Sequence, residues 1–185
     1  MSLTESSMLE LGTKAPDFEL LDVVNGKKRA LNDLRGPKGT LIAFICNHCP
    51  YVIHIQEAFV DVVKDYDEQG IATIAISSND VENYPADHPD KMKERAEELD
   101  FDFPYLYDET QEVAKAYKAE CTPDLFLFDE NMELVYRGQF DDSRPGNDKP
   151  ITGENLKAAF DALLAGRQIP EGEQRPSAGC NIKWK

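Results

Sequence analysis

The stretch FICNHCPYVIHIQE, residues 44–57, sets two cysteines three positions apart, with Asn47 and His48 between them and Pro50 directly after. Upstream, LIAFIC (41–46) is an apolar run of strand length. Downstream, Val52, Phe59, Val63 and Tyr66 recur at helical spacing, and Gly70 stands where a helix would stop. Cys46 therefore ends a buried strand, Cys49 opens a helix, and Asn47-His48 forms the turn. A second apolar run, IATIAIS (71–77), follows Gly70. The three pieces make a strand-helix-strand unit, whose crossover helix lets two parallel strands pair and covers one sheet face.

That placement has a chemical consequence. The first backbone N–H groups of a helix lack partners, so the potential there is positive and a cysteine thiol ionises below its free pKa of about 8.5. The thiolate is the attacking species in disulfide exchange, and two intervening residues let the second sulfur reach the first. The spacing thus assigns attack to Cys46 and resolution to Cys49. His48 adds a tunable positive charge that would favour the thiolate, and Pro50 suits a first helical turn, where its missing N–H costs nothing. Two other chemistries use the same residues. A zinc site could be completed by His48, His54, Cys121 or Cys180, although no second C-x-x-C or H-x-x-x-H accompanies the first. Alternatively the two are inert buried thiols.

Working outward, LFLFD (125–129) and ELVYRGQF (133–140) read as further strands, with FPYLY (103–107) as a short one. Helices are predicted from near Pro89 to about Leu99, over ETQEVAKAY (109–117), and over TGENLKAAFDALLAG (152–166), with Thr152 as cap and Gly166 as terminator. Before the first core strand, apolar and polar residues alternate around Asn25-Gly26, a two-residue hairpin signal. The expected organisation is a single domain over residues 1–185, with a hairpin extension at 12–36 and an irregular tail at 167–185.

Composition bounds the partners. The chain has 185 residues, 41% of them apolar, enough for one sizeable core. A net charge of −15 argues against nucleic acid, whose phosphates it would repel. The opening MSLTESSMLELG lacks a basic segment followed by an apolar run, and no stretch approaches about 18 consecutive apolar residues, so a soluble cytoplasmic protein with no membrane partner is expected. Four dispersed cysteines do not make the disulfide lattice of a small secreted domain.

Strand, C-x-x-C, helix, strand, then Thr122-Pro123 before an apolar strand: this order resembles the thioredoxin fold. The leading GTKAPDFELLDVVNGKKRALNDLRG (12–36) resembles the N-terminal region of its redoxin branch, which includes alkyl hydroperoxide reductase and thiol-specific antioxidant proteins. The likeness runs from about residue 12 to 166, and the ending RPSAGCNIKWK resembles the tail of a bacterial group of thioredoxin-family proteins. The resemblance implies an α/β domain with a central mixed sheet flanked by helices, and a cis-proline at 123 beside the reactive cysteines. Thr122 and Pro123 would then shape a substrate groove, the Thr122 backbone pairing with an extended substrate segment. The implied activity is thiol-disulfide exchange without cofactor, on a protein or small-molecule disulfide, with a thiol reductant such as a thioredoxin.

Thiol-dependent peroxide reduction is the alternative. Redoxin peroxidases show P-x-x-x-T-x-x-C, and here the threonine position is Ala43 counted from Cys46 or Cys46 counted from Cys49. The arginine expected before the FLFD strand is replaced by Glu120-Cys121-Thr122-Pro123. Cys121 reads as a third redox group or a packed side chain. Cys180, expected on a mobile tail, reads either as a thiol that folds back to resolve the main site or as an exposed thiol without a role. Arg144, in the polar loop 140–150, is a further cation to watch near the thiolate.

Overall fold

The computed structural model describes residues 3–185; residues 1 and 2 of the expected domain lie outside the described residues. In chain order the strands are β1 (Leu3–Glu5), β2 (Glu19–Asp22), β3 (Lys28–Ala30), β4 (Gly39–Phe44), β5 (Ile71–Ser77), β6 (Tyr105–Tyr107), β7 (Cys121–Thr122), β8 (Asp124–Asp129), β9 (Leu134–Gly138) and β10 (Ala178–Asn181). The helices are α1 (Leu31–Leu34), α2 (Pro50–Asp67), α3 (Pro89–Glu98), α4 (Glu112–Ala116) and α5 (Glu154–Leu164).

Seven strands form the central mixed sheet in the order β3-β2-β6-β5-β4-β8-β9, with β4, β5 and β6 parallel and the remaining pairs antiparallel. The middle strands are covered on both faces, and side chains alternate between them. Leu41 and Ala43 of β4, with Leu125 and Leu127 of β8, face the layer of α2, α3 and α5. Ile42, Phe44, Phe126 and Phe128 face the opposite layer with Leu31 and Tyr117. All of these are at most 3% exposed, so each large one contributes roughly 1.5–3 kcal/mol through burial.

Helix α2 forms because Val52, Ile55, Phe59, Val60, Val62 and Val63 share one stripe that the sheet buries. It begins with Pro50 in its first turn and Cys49 as the capping residue, as the sequence predicts. Helix α5 begins one residue later than its threonine suggests: Gly153, at φ 67°, holds the cap position, and the Thr152 hydroxyl accepts from Glu154 N at 3.2 Å. The 12–36 region does hold a hairpin, β2 against β3, with Gly26 at φ 73° in its turn. Its outer strand pair joins the main sheet through β6.

The tail differs most from the sequence reading. Residues 178–181 form strand β10, which lies antiparallel between β1 and β7 in a small second sheet. Four residues reading AGCN carry no apolar alternation, so only this pairing makes them a strand. The register sets Cys180 opposite Thr122 and Asn181 opposite Cys121.

Candidate active site

Strand β4 delivers Cys46 two residues past its end, and the N-terminus of α2 begins at Cys49. Val52 N and Ile53 N both donate to the Cys49 carbonyl, closing the first turn of the helix. Opposite the pair, the Thr122–Pro123 peptide bond is cis. Cys46 Sγ lies 3.6 Å from Thr122 Oγ1, and Cys49 Sγ lies 3.3 Å from the Thr122 carbonyl oxygen. Cys46, Cys49, Thr122 and Pro123 are therefore one site, and both sulfurs are buried. Beside Cys46 is a small apolar cavity lined by Ile45, Val52, Ile55, Phe101 and Pro123, with room for about one water molecule.

The two thiols share one negative charge, and the structure puts it on the sulfur opposite to the one the sequence suggests. Cys49 is lowered to about 5, first by the hydrogen bond from the Cys46 thiol, then against the cost of burial by the Cys180 thiol, the Thr122 hydroxyl and Val52 N. Cys46 is raised well above an ordinary thiol because it donates to Cys49, because it is buried, and because Asp87 faces it. The helix start contributes least, through Val52 N, and it acts on the residue at the cap, which is Cys49 and not Cys46.

Sequence reasoning missed Asp87. It sits in a 3₁₀ turn, Pro85–Asp87, and is fully buried. Its carboxylate accepts from Asn47 N at 2.7 Å, His48 N at 3.2 Å, Asn79 Nδ2 at 2.9 Å and the His48 ring. Burial pushes its pKa up, but the His48 and Asn79 hydrogen bonds outweigh that and hold it below the usual carboxylate value. An ionised carboxylate only accepts, so His48 Nδ1 carries the proton in this bond. The same ring atom is 3.9 Å from Cys46 Sγ, and Tyr84 stacks on the imidazole at 5.2 Å. One ligand atom each from Cys46, His48 and Asp87 falls within 4.8 Å of the others. The metal-site alternative built on both cysteines and a histidine thus meets a different grouping, with Asp87 in place of Cys49.

Arg95, also unflagged by the sequence reading, donates to Asn47 O at 3.1 Å and Gln56 Oε1 at 2.9 Å, bracing the turn between the cysteines. Tyr105 steadies the same turn from below, donating to Asn47 Oδ1 at 3.0 Å.

The remaining sequence candidates separate. Cys121 is fully buried on β7, next to the carbonyls of Pro123 and Ser177, and its pKa is raised by burial and by Asp124. That favours the packed thiol over the third redox group at this position. Arg144 is used up by its own loop, donating to the carbonyls of Asp141 and Ser143 and to Gln139 Oε1. His54 is half-buried and pairs with the buried Ser143 Oγ at 2.8 Å. Cys180 lies in a paired strand and is not exposed: it is 1% exposed on β10, and its Sγ lies 2.7 Å from Cys49 Sγ. No helix among the described residues is long and apolar enough to cross a membrane.

Comparison with known proteins agrees with this geometry. A solved structure described as an uncharacterized conserved protein from Geobacillus kaustophilus is 55% identical, with a TM-score of 0.97 over 100% of this chain and 97% of that one. The thioredoxin domain of a thiol-disulfide oxidoreductase from Bacteroides vulgatus is 18% identical with a TM-score of 0.65, covering 84% of this chain and 99% of that one, a likeness of fold. Thiol-disulfide oxidoreductase ResA of Geobacillus kaustophilus is 29% identical over 131 residues, 71% of this chain and 70% of the relative. The fold is thioredoxin-like, as the sequence order implied. With the AhpC/TSA family profile matching residues 11–137, across the hairpin, the cysteine pair and the cis-proline, the chain belongs to the AhpC/TSA family.

Proposed function

We propose that this protein is a thioredoxin-like thiol-disulfide oxidoreductase working through Cys46 and Cys49. The observation that carries the reading is the pair itself: a buried dithiol at a strand-to-helix junction, facing a cis-proline, with the charge of the reduced state held on Cys49 chiefly by the Cys46 thiol. The Geobacillus kaustophilus relative, which bears the name thiol-disulfide oxidoreductase, supports the same chemistry.

In the reaction, Cys46 is the sulfur that meets substrate, because it lines the cavity beside Pro123 whereas Cys49 is covered by Cys180. Its proton passes to the Cys49 thiolate as it attacks, and then to the leaving substrate sulfur. A bond forms from Cys46 Sγ to one substrate sulfur, the substrate disulfide breaks, and the other substrate sulfur leaves as a thiolate. Cys49, again ionised, then attacks Cys46 Sγ, giving the Cys46–Cys49 disulfide and releasing the second substrate thiol. Two electrons have passed to the substrate, and an external thiol reductant restores the dithiol. Pro123, which lines the cavity beside Cys46, orients the incoming disulfide, and the His48 ring, fixed by Asp87, stands beside the Cys46 sulfur. The same reading takes protein or small-molecule disulfides as substrates, a thioredoxin-like reductant as donor, and the cytoplasm as the compartment.

The test is reduction of insulin by the wild-type chain with dithiothreitol as donor, run beside a peroxide-consumption assay. Turnover of the disulfide, abolished in Cys46→Ser and Cys49→Ser, is the expected result. Peroxide consumption without disulfide turnover would replace this reading with the peroxidase one.

A further inference from the structure

The C-terminal strand is built against the site with little tolerance. Gly179 packs so closely on Thr122 that a Cβ there would run into the Thr122 carbonyl and crowd the Pro123 ring. Ser177 Oγ donates to Pro123 O, and Ile182 N donates to Glu120 O at 3.0 Å, so β10 is pinned on both sides of the cis-proline. Backbone pairing then sets Cys180 directly opposite Thr122, the residue whose edge an extended substrate would use. The side chain that results is a thiol whose Sγ is 2.7 Å from Cys49 Sγ, roughly 0.7 Å beyond a covalent disulfide length of ~2.05 Å.

We propose that Cys180 is a third redox thiol of the site: β10 stands where substrate would lie, and Cys180 takes Cys49 out of the Cys46–Cys49 disulfide. The inference rests on the dithiol reading above and extends it. The Cys180 thiolate attacks Cys49 Sγ, the Cys49–Cys180 bond forms, the Cys46–Cys49 bond breaks, and its electron pair leaves on Cys46 Sγ. The proton lost by Cys180 ends on Cys46. Nothing is oxidised or reduced overall, so no external reagent is consumed.

The charges favour this order of events. In the reduced protein Cys180 is pushed up to about 12, by burial and then by the hydrogen bond and charge of the Cys49 thiolate. Once Cys49 is tied into a disulfide that negative charge is gone, while the ammonium of Lys183 and the backbone N–H of Tyr51 continue to favour ionised Cys180. Burial still holds Cys180 up, but it ionises more readily once its target has been oxidised than in the reduced protein. The product disulfide joins two sulfurs that are 0% and 1% exposed, so the oxidising equivalent is held away from solvent while Cys46 returns as a thiol beside His48.

The experiment uses the full chain treated with diamide, which takes two electrons and two protons from a dithiol, followed by acid quench, alkylation and disulfide mapping by mass spectrometry. Wild type is expected to yield both linkages, and Cys46→Ala to lose the Cys49 and Cys180 thiols together as one disulfide. Gly179→Ala, which pushes β10 off Thr122, is expected to cut the Cys49–Cys180 yield at least tenfold while Cys46–Cys49 still forms; circular dichroism checks that this variant is folded. Should it be unfolded, Cys46→Ala alone decides. Both thiols surviving diamide in Cys46→Ala, with Cys46–Cys49 formed in wild type, would overturn the role of Cys180 and leave the dithiol reading intact. Absence of Cys46–Cys49 in Cys180→Ser under the same treatment would instead remove the dithiol reading.

Discussion

Replacing Cys46 with alanine should raise the pKa of Cys49, and the size of the rise follows from what the substitution removes. Cys49 sits at about 5 chiefly because the Cys46 thiol donates to it; the Cys180 thiol, the Thr122 hydroxyl and Val52 N contribute less. A hydrogen bond to a charged group is worth about 1.5–3 kcal/mol, and one pKa unit corresponds to about 1.4 kcal/mol, so losing the Cys46 donor moves Cys49 up by about 1–2 units. At pH 6 the wild-type thiol is about 90% ionised, and the variant should be about half ionised or less. The assay is ultraviolet thiolate absorbance as a function of pH, with Cys49→Ala as the blank. A wild-type step near pH 5 that vanishes in Cys49→Ala and shifts upward in Cys46→Ala is the expected outcome. If that step survived in Cys49→Ala and vanished in Cys46→Ala, the charge would sit on Cys46 and the assignment of the thiolate to Cys49 would be wrong.

Other changes probe the surroundings. Asp87→Asn leaves several N–H donors facing an amide that cannot accept from all of them, so it should cost roughly 1–3 kcal/mol in denaturant unfolding at pH 7. Because the Asp87 pKa is depressed, its contribution exists above the ordinary carboxylate value and is lost as pH falls through the lower folded one; the gap between variant and wild type should narrow below about pH 4. Asp124 behaves in the opposite sense. Burial raises it to about 7, so the stability of its neutral form is fully present below its unfolded value and is lost as pH rises through about 7. Asp124→Asn should therefore flatten the decline in thermal midpoint between about pH 4 and 7, and an unchanged decline would remove Asp124 as its cause. Phe126→Ala, at a fully buried ring whose centroid is 5.9 Å from Phe44 and 6.1 Å from Tyr117, should cost about 3–5 kcal/mol in the same unfolding assay, with the cysteine titration unmoved.

What could be read from the chain is what local pattern encodes. The apolar runs of β4, β5 and β8 and the stripe of α2 announce their own burial, and the strand-to-helix step locates Cys46 and Cys49 without any knowledge of the rest. Thr122-Pro123 could be placed opposite them only through resemblance, because nothing in its local sequence points across the fold. Asp87 was invisible for a similar reason. Between Pro85 and Pro89 it reads as a residue of the loop preceding α3, and its role depends on a turn that carries it to Asn47 and His48, 40 and 39 residues away in the chain. Strand β10 is the strongest case. AGCN has no strand signature, and Gly179, which suggests flexibility in sequence, is there because backbone packs on backbone at Thr122. The charge distribution between the sulfurs also needed coordinates, since beside the Cys46 donor it draws on Thr122 and Cys180, which the motif does not contain.

The central claim is that Cys46 and Cys49 interconvert between dithiol and disulfide, and it is tested most directly in the Cys180→Ser chain, where no third partner competes. Equilibrated with glutathione buffers of graded potential and then alkylated, this variant should lose two thiols in a single two-electron step, with mass mapping assigning both to Cys46 and Cys49. Retention of all its thiols at the oxidising end, or a loss that maps to Cys121, would contradict the account.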